Sequence, residues 1–185
     1  MKSFMGTEAV LTGIASSANV EHARLEQQFD GLLAANGAAL ARLAASYTNT
    51  ASDRDDLLQE IAMALWQALR RFRGDCSERT FLFRIAHNRA IAHLARSRPQ
   101  FAGEDLEVHD PAPDPESGLA REEQAARLRC AIHRFPVVYR QVITLTLEDL
   151  GYAEIAEVLG ISESNVGVRL SRARQLLRES LEKSK

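Results

Sequence analysis

Apolar residues recur along this chain with the spacing of helices, and strand-like alternation is nearly absent. Phe29, Leu32, Leu33, Leu40, Leu43 and Tyr47 share one helical face, which Gly31 and Gly37 weaken. A clearer stripe follows at Leu58, Ile61, Leu65, Leu69 and Phe72, behind Ser52 or Asp53, either of which can cap the first turn. Gly74, Asp75 and Ser77 break that pattern. A third helix is predicted from near Arg79 to about Arg98, where Pro99 ends it, because proline has no amide hydrogen and disfavours helix in the residue before it.

The helical pattern resumes later in the chain. One helix is predicted from Arg121 to about Arg134, and Pro136, suited to a first-turn position, opens another that ends near Gly151. Tyr152, Ile155, Ala156 and Leu159 mark a short helix closed by Gly160. Ser162 caps the last helix, which carries Val166, Leu170, Ala173, Leu177 and Leu181 on one face. The fold class is therefore all-α.

Between the two helical stretches, Pro99, Pro111, Pro113 and Pro115 lie among Glu104, Asp105, Glu107, Asp110, Asp114 and Glu116. Proline removes backbone donors and like charges repel, so this stretch is predicted to be an extended acidic linker. The expected organisation is a weakly ordered arm over residues 1–20, a helical domain over 21–98, a linker over 99–119 and a second helical domain over 120–185. A chain of 185 residues, 45% hydrophobic and 26% charged, can fill two small cores.

Several classes of function drop out. No apolar run reaches the ~18–20 residues of a membrane span, and Met5 to Val20 is broken by Gly6, Glu8 and Gly13. Neither membrane insertion nor a signal peptide is expected, which implies a cytoplasmic protein. Cys76 and Cys130 are too far apart in sequence for a zinc-site or disulfide pattern. No nucleophile–base pair, phosphate loop or metal cluster stands out, so no catalytic residue, metal or cofactor is expected, and the chain does not read as an enzyme.

The formal net charge of −2 hides a strong division. Eight arginines lie between Trp66 and Arg98 against Asp75 and Glu78, and Arg169, Arg172, Arg174, Arg178, Lys183 and Lys185 face three glutamates near the end. Asp53, Asp55, Asp56 and Glu60 form an acidic group, separate from the linker's. Local field decides what a surface attracts, so two kinds of partner are implied.

The segment YAEIAEVLGISESNVGVRLSRAR has the form of a helix-turn-helix. Ala156 permits close helix approach, Gly160 can make the sharp turn and Ile161 plugs the angle. At ~100° per residue, Val166, Leu170, Ala173 and Leu177 point inward. Ser164, Asn165, Val168, Ser171, Arg172 and Gln175 point outward, where they could read base edges, with Arg169, Arg174 and Arg178 at the flanks for phosphates. In the first domain, Asp56, Glu60, Met63 and Gln67 form a second stripe beside the apolar one, with Gln59 close by. On the third helix, Arg89, His93 and Arg96 fall on one side and Arg84 and His87 on an adjoining one, a basic aromatic-led surface suited to unstacked bases.

Three blocks, DDLLQEIAMALWQAL, FRGDCSERTFLFRIAHN and RFPVVYRQVITLTLEDLGYAEIAEVLGISESNVGVRLSRAR, together resemble the extracytoplasmic-function (ECF) sigma factors of RNA polymerase. The resemblance covers roughly residues 25–98 and 120–181 in family order, and implies a region 2-like bundle joined by the acidic linker to a region 4-like helix-turn-helix. It implies core RNA polymerase, promoter DNA and an anti-sigma factor as partners. By position, Asp56, Gln59, Glu60 and Met63 would contact polymerase. Phe72, Gly74, Asp75, Cys76, Ser77, Glu78, Ile85 and Asn88 would hold the melted upstream element, with a base flipped into the loop. Val168, Ser171, Arg172 and Gln175 would read the duplex element, with Ser164, Asn165 and Arg169 beside them and Tyr139 and Arg140 bracing its backbone. Phe81 stands where the family usually has tryptophan. Asn165-Val166-Gly167-Val168-Arg169 replaces a common Thr-Val-Lys-Ser-Arg, which implies a different promoter preference. Two other readings stay open at this level: an autonomous helix-turn-helix repressor or activator that dimerises on a palindrome, and a helical interaction protein such as an anti-sigma antagonist.

Overall fold

The computed structural model describes the backbone of residues 5–96 and 127–182, and every described element is helical. The first lobe holds α1 (Met5–Ala45), α2 (Ala51–Leu69) and α3 (Glu78–Arg96). The second holds α4 (residues 127–133), α5 (Val137–Leu147), α6 (Tyr152–Leu159) and α7 (Glu163–Glu182). The acidic linker at 99–119 and the predicted start of a helix at Arg121 lie outside the described residues.

α1 begins earlier than its apolar stripe suggests, at Met5, so helix occupies most of the stretch expected to be a weakly ordered arm. Leu32, Leu40 and Leu43 bury its inner face, with Phe29 and Leu33 half-buried beside them and Tyr47 buried just beyond its end. On α2 the inner stripe is Leu57, Ile61, Leu65 and Leu69, with Leu58 only half-buried and Phe72 beyond the helix end. Each fully buried Leu or Ile contributes roughly 1.5–3 kcal/mol. The cap of α2 is Thr50, not Ser52 or Asp53: its hydroxyl accepts from the Asp53 amide at 3.1 Å. Thr50 precedes the first apolar turn by enough residues to satisfy an amide that would otherwise lack a partner. Ser77 does the same for α3, accepting from the Thr80 amide at 2.9 Å.

In the second lobe α6 and α7 meet at Gly160, whose φ of 64° is the left-handed conformation that the turn demands. Ser162 caps α7, accepting from the Asn165 amide at 3.2 Å. Val166, Leu170 and Ala173 are fully buried against Ile155, Val158 and Val142, and Ile161 packs half-buried in the corner. Pro136 sits at the cap of α5, one position before its first turn.

The lobes are not separated beads on a tether; α3 packs on α6. Arg42 of α1 donates to both carboxylate oxygens of Glu148, at 2.8 and 2.6 Å, and Arg79 donates to the Glu148 carbonyl. Thr80 reaches Glu154 at 3.3 Å, and Arg84 pairs with Glu157 at 3.6 Å. Arg140 of α5 donates to the Ser46 carbonyl at 3.3 Å and lies over the Tyr47 ring.

Candidate nucleic-acid and partner interfaces

Three surfaces carry polar groups that folding does not consume. The first is the outer edge of α2. Because α2 buries Leu57, Ile61 and Leu65, helical geometry turns Asp56, Gln59 and Met63 outward. Met63 is 57% exposed. It borders a groove of about 300 Å³ between α2 and α3, lined also by Glu60, Gln67, Arg89 and Arg96.

Glu60 differs from its neighbours on this edge. Arg96 donates to both its oxygens at 2.6 Å, and the His93 ring lies 3.5 Å away. Partial burial works against the Glu60 charge, but the hydrogen bonds from Arg96 and His93 outweigh it and hold the carboxyl below its ordinary range. His93 also meets Asp53 at 2.6 Å through its other nitrogen. The placement of these groups has a simple cause. Asp53 in the acidic first turn of α2 lies beside His93 and Arg96 in the basic last turn of α3, so these three charges suit their own helix dipoles, while Glu60 further along α2 is held by its partners alone.

This corrects the expectation for the basic face of α3. His93 is buried and, with Arg96, faces the α2 carboxylates instead of an open nucleic-acid surface. His87 is buried too, edge-on to the Tyr47 ring at 6.3 Å, and burial pushes its pKa down to about 4. Arg89 and Asn88 stay exposed.

The second surface is the turn before α3. Gly74 takes a φ of 78°, in the region that favours glycine, and Asp75, Ser77 and Glu78 are exposed. Phe72 stacks obliquely on the buried Phe81 ring at 4.5 Å, and the Arg84 guanidinium lies over the Phe81 ring at 5.7 Å. Ile85 is half-buried and Asn88 exposed, one turn apart on the same helix. Part of this surface faces the second lobe. Cys76 is half-buried; burial raises its thiol pKa, and a hydrogen bond to Glu157 raises it further. Gln28 of α1 donates to Glu78.

The third surface is the outer face of α7. Ser164, Asn165, Ser171, Arg172 and Gln175 are exposed and Val168 is 64% exposed, whereas Val166, Leu170 and Ala173 are fully buried. The outward side chains are satisfied among themselves. Arg169 donates to Asn165 at 2.8 Å, Arg172 to Gln175 at 3.3 Å and Gln175 to Glu179 at 3.0 Å. Such exposed i, i+3 and i, i+4 bonds are weak and can be exchanged for base edges at small cost. Beside Gly167 lies the Tyr152 ring, which a Cβ at that position would meet at 3.6 Å, an ordinary van der Waals contact.

Arg140 does not belong to that surface. It is buried, and its guanidinium donates to the carbonyls of His133, Phe135 and Ser46. An arginine committed to three carbonyls is unavailable to a phosphate, so its expected role in bracing DNA is replaced by one in holding α4, α5 and α1 together. Tyr139 is half-buried and packs on the core. Among the described residues no group of acidic, histidine or cysteine side chains could hold a metal ion, and no helix is long and apolar enough to cross a membrane.

Comparison with known proteins bears on what these three surfaces serve. Residues 32–100 match the family model for sigma-70 region 2, and residues 125–177 match that for sigma-70 region 4. The chain is 33% identical over 181 residues to the RNA polymerase sigma factor CnrH of Cupriavidus metallidurans, covering 92% of each protein. It is 30% identical to the ECF RNA polymerase sigma factor SigM of Mycobacterium tuberculosis, covering 80% of this chain and 74% of that one. The chain belongs to the ECF sigma factors of RNA polymerase. The fold agrees: the structure of CnrH in complex with the cytosolic domain of CnrY superposes with a TM-score of 0.67, covering 86% of this chain and 91% of CnrH at 30% identity. A sigma factor engages core RNA polymerase and promoter DNA, so the function is that of an initiation factor and not of an autonomous repressor or activator.

Proposed function

We propose that the three surfaces divide this work. The outer edge of α2, with Asp56, Gln59, Glu60 and Met63, docks on core polymerase. The turn from Gly74 to Glu78, with Phe72, Ile85 and Asn88, holds the melted strand. The outer face of α7 reads the duplex element through Val168, Ser171, Arg172 and Gln175, flanked by Ser164, Asn165 and Arg169. What chiefly supports the proposal is the contrast on α7. One face is buried at Val166, Leu170 and Ala173, while the opposite one offers an arginine, an amide, hydroxyls and an exposed valine at the spacing of a groove-reading helix. CnrH was solved in complex with the cytosolic domain of CnrY; an anti-sigma factor is the protein partner we assign as the regulator of this chain.

Arg172 is the base-reading residue in this scheme, and Arg178, exposed but further along the helix, at most meets phosphate. With polymerase holoenzyme on promoters altered one base pair at a time, Arg172→Ala should lose about 1–3 kcal/mol at the preferred sequence and relax selection at one position. Arg178→Ala should weaken all promoters alike and flatten the salt dependence. A uniform loss from Arg172→Ala would make that arginine a phosphate clamp and leave reading to Val168, Ser171 and Gln175.

A further inference from the structure

The polar edge of α2 does not stand by itself. A buried ring on α3 spans two of its turns. His93 meets Asp53 in the first turn of α2 at 2.6 Å and Glu60, seven residues on, at 3.5 Å, one carboxylate to each ring nitrogen. Arg96, one turn further along α3, closes on the same Glu60 carboxylate at 2.6 Å. His93 itself is buried, so the ring has a fixed position, and both carboxylates are only partly exposed beside it. Of the four docking residues, Asp56, Gln59 and Met63 are exposed, whereas Glu60 is held by Arg96 and His93. A glutamate on a helix surface ordinarily loses much of its side-chain freedom when a partner binds it. One already fixed by internal hydrogen bonds presents its carboxylate without that loss, which is the general basis of preorganised affinity.

We propose that His93 is a positioning residue for polymerase docking: by bridging Asp53 and Glu60 it fixes the docking edge of α2 and the direction in which the Glu60 carboxylate points. The proposal rests on the assignment of that edge as the polymerase contact. It also gives a role to a residue whose place on the basic face of α3 had suggested contact with nucleic acid. A ring that only filled space in the core would leave the affinity of the folded protein for polymerase untouched.

The test uses the full chain, labelled and titrated with core polymerase at a temperature well below the melting point of each variant. His93→Leu, which keeps the bulk and loses the ring's polar contacts with the two carboxylates, should weaken core binding about tenfold. His93→Gln, whose amide can still donate to Asp53, should recover most of that loss. Asp53→Ala, at a partly exposed position that does not threaten the core, should weaken binding to a similar degree. Combining it with His93→Leu should add little, because both changes break the same bridge. Asp56→Lys serves as the control for the docking edge. If Asp56→Lys loses affinity while His93→Leu and Asp53→Ala bind core as tightly as the parent, the positioning role is wrong and the docking edge stands. If Asp56→Lys also binds normally, the docking assignment and the positioning role fall together. Equal affinity losses for His93→Gln and His93→Leu, or full additivity with Asp53→Ala, would likewise overturn the bridge.

Discussion

Replacing Arg42 by alanine should destabilise the folded chain by about 3–5 kcal/mol, whereas replacing its partner Glu148 should cost only about 1 kcal/mol. The asymmetry follows from where the two charges lie. The Glu148 side chain is 3% exposed and the Arg42 side chain 59% exposed. Removing Arg42 leaves a carboxylate buried at the junction of the lobes with its two best hydrogen bonds gone. Removing the Glu148 carboxylate leaves an arginine that already reaches water and can hydrate. Burial works against the Arg42 charge only slightly, and the hydrogen bond to Glu148 comes first in raising its pKa. Urea denaturation of the two single variants measures the difference directly. If opening the junction is cheaper than leaving Glu148 buried, Arg42→Ala will also enlarge the radius of gyration in small-angle scattering. A cost for Glu148→Ala equal to or above that for Arg42→Ala would show that the pair does not work this way.

Acid should weaken the fold well before its carboxylates titrate. His87 is buried on α3 with its Nδ1 lacking a partner, and desolvation lowers its pKa from the ordinary 6.5 to about 4. The folded state therefore keeps the ring neutral, while the unfolded chain takes up a proton as soon as pH falls past 6.5. Stability from this source is fully present above pH 6.5 and is lost between there and pH 4, where the folded state protonates as well. A difference of this size amounts to about 3 kcal/mol. Burial and the nearby Arg140 push His133 in the same direction, so its contribution too is lost as pH falls below 6.5. Glu60, whose pKa is lowered, adds stability that is present above its ordinary 4.5 and is lost as pH falls from there through its lower folded value. Thermal melting from pH 7.5 to 4.5 should show a steep decline for the parent and a shallower one for His87→Leu. Parallel curves would mean that His87 is not the buried base responsible.

Much of this arrangement is legible in the residues alone, because a 3.6-residue period turns apolar spacing into buried faces. The inward faces of α1 and α7, the turn at Gly160 and the cap at Ser162 all follow from such local signals. On α2 adjacent leucines compete for the inner position, and periodicity favoured Leu58 although Leu57 is the one fully buried. The cap at Thr50 was obscured by Ser52 and Asp53, two equally good capping residues just beyond it. What the pattern could not supply is what lies opposite each face. The side of α3 bearing His93 and Arg96 is basic in sequence, and nothing local reveals that the α2 carboxylates neutralise it. Arg140 is similar: as a cation in the helix-turn-helix lobe it suggests phosphate, but the nearby carbonyls of His133 and Phe135 and the distant one of Ser46 surround it. The clasp of Arg42 on Glu148 joins residues 106 positions apart, beyond the reach of any period or cap.

The most direct measurement of the division of labour is the affinity of the labelled full chain for core polymerase, compared among the parent, Asp56→Lys and Arg172→Ala. Asp56 is exposed on the docking edge, away from the buried stripe of α2, so a lysine there should leave the fold intact and oppose a basic partner surface. Core binding should fall at least tenfold for Asp56→Lys and remain at the parental value for Arg172→Ala, whose defect should emerge only on promoter DNA. Parental affinity in the folded Asp56→Lys variant, or an equal loss in Arg172→Ala, would contradict the assignment of docking to α2 and reading to α7.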